Sequence, residues 1–292
     1  MDIAKTIKTR DFLFLIMSVS VLALFYSQVF VRIYGLLDDD LYSHIVLIPF
    51  ISAYFIYAER ERIFFRTQGG LAPGAALFAS ALLLYILAAG AKTGLQENDY
   101  LSVMVLSALA FTWGGFLLFY GMEALKKALF PLLFLLFMVP IPTVLLEKVV
   151  YLLQVGSAEV SYGIIRLSGM PVLREGFVFH LPEMSIEVAE ECSGIRSSLA
   201  VLITGVMAGH IFLKSRGRKI VLILTVLPVV IIKNGIRIST LALLASYVDR
   251  SFITNSFLHK NGGVFFFVLA LLLLTLVVWV LRNSERRSGE GA

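Results

Sequence analysis

The chain has 292 residues, of which 59% are hydrophobic and 15% charged, and its mean hydropathy is +0.88. A water-soluble domain of this length cannot hide so much apolar surface, so the composition excludes an ordinary soluble enzyme and makes the bilayer the main solvent. The net charge of +5 is modest and sits mostly in short loops, which reads as a topology signal and argues against a nucleic-acid partner.

The hydropathy pattern predicts an all-α polytopic membrane protein forming one integral domain over 1–292. About eight transmembrane helices are expected, at about 12–34, 44–58, 71–91, 100–120, 128–146, 193–213, 219–248 and 262–282. The first apolar run is long, lacks a small-residue cleavage site and is followed by more spans, so no cleavable signal peptide is expected. The second run is short. The fifth ends at Pro140 and Pro142, which cannot continue a regular helix.

Basic residues set the orientation. Lys5, Lys8 and Arg10 precede span 1, Arg60, Arg62 and Arg66 follow span 2, and Lys126 and Lys127 follow span 4. Lys214, Arg216, Arg218 and Lys219 fill the turn after span 6, and Arg282, Arg286 and Arg287 form the tail. All fall on one side if every span crosses, and the positive-inside rule makes that side, with both termini, cytoplasmic. The opposite loops carry Asp38, Asp39 and Asp40, then Glu97 and Asp99, then Glu183, Glu187, Glu190 and Glu191. The outer-face loop 147–192 is expected to hold an interfacial helix over 147–167, where Glu147, Lys148, Gln154, Glu159 and Arg166 interleave with apolar residues; a re-entrant pair is the alternative. Alternation over 172–181 and 184–189, around Arg174-Glu175-Gly176 and Leu181-Pro182-Glu183, predicts a short outer-face β-hairpin.

Three reactive residues reach one height in this topology. Cys192 is the sole cysteine, so neither an internal disulfide nor a thiolate metal cluster is expected, and no cofactor is implied. It closes the outer loop where span 6 begins, and a helix N-terminus there favours a thiolate. The bland reading of a lone cysteine is a small buried apolar residue. Arg237 lies inside span 7, with Asn234 one turn earlier and Gly235 between them as a point where the helix could loosen. At about 1.5 Å per residue from Lys219, Arg237 lies roughly 27 Å along the helix, near the outer interface. A snorkelling arginine is the competing reading. His259 falls in the outer loop before span 8 and suits a general acid or base. His44 and His180 also fall outside and remain rivals, whereas His210 sits at the cytoplasmic end of span 6. Ser193 is a weaker nucleophile beside Cys192, and Gly194 and Arg196 complete the supporting set. No phosphate-binding loop, zinc helix or nucleophile elbow is present in the sequence.

The segments IEVAEECSGIRSS, NGIRIST and FLHKNGG, in that order and spacing, resemble the exosortase/archaeosortase family, as do LYSHIVLIPFISAY and PLLFLLFMVPIP. The resemblance covers most of the chain. It implies a sortase-like arrangement with Cys192 as nucleophile, Arg237 as the essential arginine and His259 as the essential histidine. It also implies membrane-anchored substrate proteins with carboxy-terminal sorting tails of the PEP-CTERM kind: a short motif, one span and a basic end. Some members carry a further carboxy-terminal domain; none is expected here after span 8.

The reading that follows is cysteine-dependent cleavage, with transpeptidation, at the outer face of the cytoplasmic (inner) membrane. Two other classes stay open: a transporter or flippase with Lys233, Asn234 and Arg237 lining a path through a broken span 7, and a non-catalytic subunit of an exopolysaccharide export system.

Overall fold

A bilayer offers backbone amides no partner except the helix itself, so the apolar runs fold as helices. The computed structural model describes residues 3–36, 41–65, 69–182, 184–249, 252 and 257–290. The side chains of 3–8, 36, 191, 192, 257–262 and 288–290 lie outside that description, as do Asp38, Asp39, Asp40, Arg66 and Glu183 entirely. Two compact units divide the chain, Met1–Leu145 and Leu146–Ala292.

The first unit contains α1 (Ile3–Leu36), α2 (Leu47–Ala58), α3 (Arg60–Phe64), α4 (Leu71–Gly90), α5 (Glu97–Lys127) and α6 (Leu129–Phe134), and it ends within the first turn of α7 (Thr143–Leu167). The helix at its centre is α5: 61% of its apolar window is buried, against 11% for α1 and 17% for α4. Those two helices therefore turn Leu24 and Leu83 outward, as lipid-facing helices must. Tyr26 packs with Leu101, Met104 and Val105 in the core. Its hydroxyl donates to Ser107 Oγ at 2.6 Å, and Ser107 donates to the Ala81 carbonyl at 2.8 Å, so a buried hydroxyl chain ties α1, α5 and α4 together.

Six described helices are long and apolar enough to cross a membrane, or seven if the bent pair α6–α7 is one span, against the eight expected. The shortfall lies in two places. Residues 44–58 fold as a 3-10 turn, Ser43–Val46, followed by the twelve-residue α2. The expected span 128–146 stops early: α6 runs into a 3-10 turn, Leu135–Met138, and the chain then bends by 87° into α7. Pro140 forces its predecessor out of the helical region, and Val139 sits at φ −74°, ψ 119°. The two short segments pack together, with Ser52 donating to the Pro131 carbonyl at 2.7 Å and Phe55 and Phe130 edge to face at 5.2 Å.

The start of α5 satisfies the break that the prolines create. Asn98 donates to the Ile141 carbonyl, Ser102 donates to the Pro140 carbonyl at 2.7 Å, and Asp99 Oδ1 accepts the Thr143 amide at 2.7 Å. Asp99 thus caps α7 from another helix. Asp99→Ala should cost about 1 kcal/mol, the usual worth of such a cap, read as a lower melting temperature of the purified protein in micelles. A variant that melts with the parent would remove the cap from this account.

In the second unit, α7 buries Leu153, Gln154, Ser157, Ala158, Ser161 and Ile165, the spacing of one helical face. Glu147, Lys148, Glu159 and Arg166 turn outward, as the amphipathic reading of 147–167 expects. Gln154 goes inward because it has a partner there, the Val188 carbonyl at 2.5 Å. The expected hairpin is a three-stranded antiparallel meander: β1 (Leu173–Glu175), β2 (Val178–Leu181) and β3 (Met184–Glu187), in that order. Its central Phe179 pairs with Arg174 and Ile186 and is buried among Ala158, Ile165, Ile238 and Ala242. Arg174 also reaches Glu159 at 2.8 Å, which fastens the sheet to α7.

Three long helices follow: α8 (Ile195–Phe212), α9 (Arg216–Tyr247) and α10 (Phe257–Glu290). They share a core of Val201, Leu222, Val226, Ala270 and Leu274. At one end Glu285 accepts the amides of Lys214 at 3.0 Å and Ser215 at 2.6 Å, placing a carboxylate on the N-terminus of α9. That contact fixes the basic α8–α9 turn and the end of α10 at one level. The candidate site lies at the other end.

Candidate active site

Heights along the three helices can be compared from one crossing point. A Cβ on Gly205 of α8 would lie 3.1 Å from Val226 of α9 and 3.7 Å from Leu274 of α10. Counting outward from that contact in α-helical steps, the backbones of Arg237 and His259 fall at or beyond the level of Ile195, where α8 begins, at the end of the helices where the Cys192 turn lies. His259 is in the first turn of α10, not in the loop expected for it, because helical structure already begins at Phe257. The side chains of Cys192 and His259 lie outside the described residues, so the statement concerns height and not contact.

Cys192 belongs to a 3-10 turn, Glu190–Ser193, that closes the loop just before α8. Gly194 intervenes as the N-cap, at φ 75° and ψ 20°, a left-handed conformation that glycine adopts without strain. Its carbonyl accepts the Ser198 amide at 2.9 Å, Ser198 Oγ at 2.8 Å and Ser197 Oγ at 3.0 Å. Ser193 is buried, and its Oγ has no partner among the described residues.

Lys233 and Asn234 of α9 press against this turn. Each is only 1% exposed. A Cβ on Gly194 would come within 2.9 Å of Asn234 Oδ1 and 3.4 Å of Lys233 Nζ, so the turn admits no side chain there. Asn234 Nδ2 donates to Ser157 Oγ of α7 at 3.0 Å, and Lys233 Nζ donates to Ser197 Oγ at 2.5 Å. Arg237 follows one turn after Lys233, half-buried, with no ion pair or hydrogen bond among the described residues. No described residue occupies its guanidinium donors. Arg196 lies exposed in the first turn of α8.

Gly235 does not loosen α9, which is continuous from Arg216 to Tyr247. A Cβ there would overlap Val160, so the glycine lets α7 and α9 approach closely. Ser161 and Ser239 line the approach, donating to the Gly235 carbonyl at 3.2 Å and 2.7 Å. The break in span 7 that a transport path would need is thus absent.

The rival histidines are engaged elsewhere. His44 has its ring nitrogens 3.1 Å from the Leu41 and Phe137 carbonyls, inside the first unit. His180, on β2, bonds Ser185 Oγ at 2.8 Å and lies 3.5 Å from Glu175. His210 is in the last turn of α8. Sequence reasoning overlooked Ser157 and Ser197 and gave Lys233 only a transport role. The available signal was a lysine beside Asn234 within an apolar span, at the height of the cysteine.

A family model described as transmembrane exosortase matches residues 36–276. No curated protein and no solved structure matches the chain.

Proposed function

This chain belongs to the transmembrane exosortase family, and from that premise we propose that it is a cysteine peptidase or transpeptidase acting on carboxy-terminal sorting tails of membrane-anchored exported proteins. The observation that carries the reading is the Cys192–Gly194 turn held against Asn234 and Lys233, with the guanidinium of Arg237 one turn beyond.

In this mechanism the Cys192 thiolate attacks the scissile carbonyl carbon, and a C–S bond forms. Arg237 hydrogen-bonds the oxyanion as the charge develops. The tetrahedral intermediate collapses with cleavage of the C–N bond, and His259 gives its proton to the departing amine. The resulting thioester is attacked by water or by an amine on a lipid or glycan, whose proton His259 takes as the thiolate leaves. Lateral packing of the substrate's own span would deliver the bond to the right depth and provide much of the rate advantage.

An outer-face location requires both short segments to cross. The 3-10 turn and α2 together reach roughly 26 Å, and α6, its 3-10 turn and extended residues 139–142 reach roughly 30 Å, close to the hydrocarbon thickness of about 30 Å. With both crossing, the basic clusters share the cytoplasmic side and the Cys192 turn faces outward.

The test uses the sole cysteine. Cys192→Ala and Cys192→Ser should accumulate uncut substrate, and a membrane-impermeant maleimide should label the parent on intact spheroplasts. A transporter or scaffold would tolerate both substitutions, and labelling only after permeabilisation would reverse the orientation.

A further inference from the structure

Lys233 is a buried cation that the mechanism above does not use. Moving an ammonium out of water costs several kcal/mol unless an anion accompanies it. Among the described residues no carboxylate comes within ion-pair distance of Lys233. Its hydrogen-bond partner is the neutral Ser197 hydroxyl at 2.5 Å, and the nearest charge on its own helix, Arg237, has the same sign. Among the described residues, then, the fold holds a positive charge against the turn that carries Cys192 with no counter-charge beside it.

Ser197 shows what the arrangement is built to do. Its Oγ lies 3.0 Å from the Gly194 carbonyl and donates to it while accepting from Lys233. The serine proton thus points away from the lysine. Lys233 is therefore held in place as a donor and is not poised to take a proton from the serine. The holder and the held group both bear on Gly194, two residues from Cys192.

We propose that Lys233 is a positioning residue of this site: its ammonium, fixed by Ser197 and packed against Gly194, supplies a positive charge that favours the thiolate form of Cys192. The inference deepens the proposed cysteine chemistry and rests on it. Other charges on the surrounding elements are Glu187 on β3, Glu190 and Glu191 on the 3-10 turn, Arg196 on α8, Arg237 on α9, and His259 and Lys260 at the start of α10. On α7 the buried polar groups are the neutral Gln154, Ser157 and Ser161, and Glu147, Lys148, Glu159 and Arg166 are exposed. The carboxylates oppose the thiolate, and Glu187 and Glu190 are exposed and solvent-screened, whereas Lys233 is buried, where charge acts most strongly.

The full-length protein in native membranes provides the test. The rate of Cys192 alkylation by iodoacetamide is followed from about pH 5 to about pH 10 in the parent, Lys233→Met and Lys233→Arg. Lys233→Met should raise the midpoint by about one pH unit or more, a tenfold loss of thiolate below it, and Lys233→Arg should restore most of the shift. Methionine removes an unpaired buried charge, so the variant is expected to fold; if the bulkier arginine is not accommodated, Lys233→Met alone decides. A Lys233→Met profile that overlays the parent overturns the inference. If that happens while Cys192→Ala still abolishes processing, only the role of Lys233 falls. If Cys192→Ala processes substrate normally, the cysteine chemistry itself falls.

Discussion

Arg237→Met should lower substrate processing by about 10²–10³-fold, the usual cost of removing one oxyanion donor, while leaving the melting temperature within experimental error of the parent. Both halves of that expectation come from the same observation. Arg237 is half-buried in α9 and makes no hydrogen bond or ion pair among the described residues, so removing it orphans none of them. What disappears is an interaction made only when substrate carries negative charge, so the loss should appear in turnover rather than in stability. Arg237→Lys refines the test. A snorkelling arginine is replaceable by lysine with little change, because both keep a charged head on an apolar stem. An oxyanion ligand is not, because lysine offers a point charge where arginine offers a planar fork of donors. The measurement is the ratio of precursor to cleaved substrate in cells carrying each variant. Processing by Arg237→Met within about threefold of the parent would leave the arginine without a role in the chemistry.

The long helices were legible because twenty or more apolar residues in a bilayer have one solution for their backbone amides. What was not legible is equally physical. Hydropathy counts apolar residues, not helical turns, so it does not reveal that 44–58 is a 3-10 turn with a twelve-residue helix, or that 128–146 is a short helix and turn ended by prolines. What allows 139–142 to stay non-helical is polar bonding from Asn98 and Ser102 of α5, about 40 residues away in sequence. No local window contains that information. The same limit applied at the site. The expectation of a common height for Cys192, Arg237 and His259 needs only the helix rise along regular spans. The clamp on the Cys192 turn needs more, since Asn234 meets Ser157 and Lys233 meets Ser197 only through the packing of α7, α8 and α9. Gly235 was misjudged for that reason: a glycine inside a span reads as a weak point until the neighbouring helix, here at Val160, is known.

The glycine of the Cys192 turn carries the second large effect. Gly194 and Gly169 share a left-handed backbone, at φ 75° and φ 82°, so an alanine at either position meets similar backbone strain, on the order of 1–2 kcal/mol. Their surroundings differ. Nothing lies within 4 Å of a Cβ on Gly169, whereas a Cβ on Gly194 would meet Asn234 Oδ1 at 2.9 Å, its Cγ at 3.1 Å and Lys233 Nζ at 3.4 Å. Neither neighbour can retreat freely, because Asn234 is tied to Ser157 and Lys233 to Ser197. The extra methyl must therefore push the turn away from α9, at a further cost of about 1–3 kcal/mol for an overpacked contact. Gly194→Ala should thus melt well below Gly169→Ala. It should also lose about 10²-fold or more in processing, since a displacement of about 1 Å at a reacting group has that effect, while Gly169→Ala processes substrate nearly as the parent does. Melting curves and precursor ratios for the two variants side by side decide the matter. If they match in both, the packing of Asn234 and Lys233 against Gly194 does not govern the position of the sulfur, and the electrostatic role assigned to Lys233 loses its geometric basis.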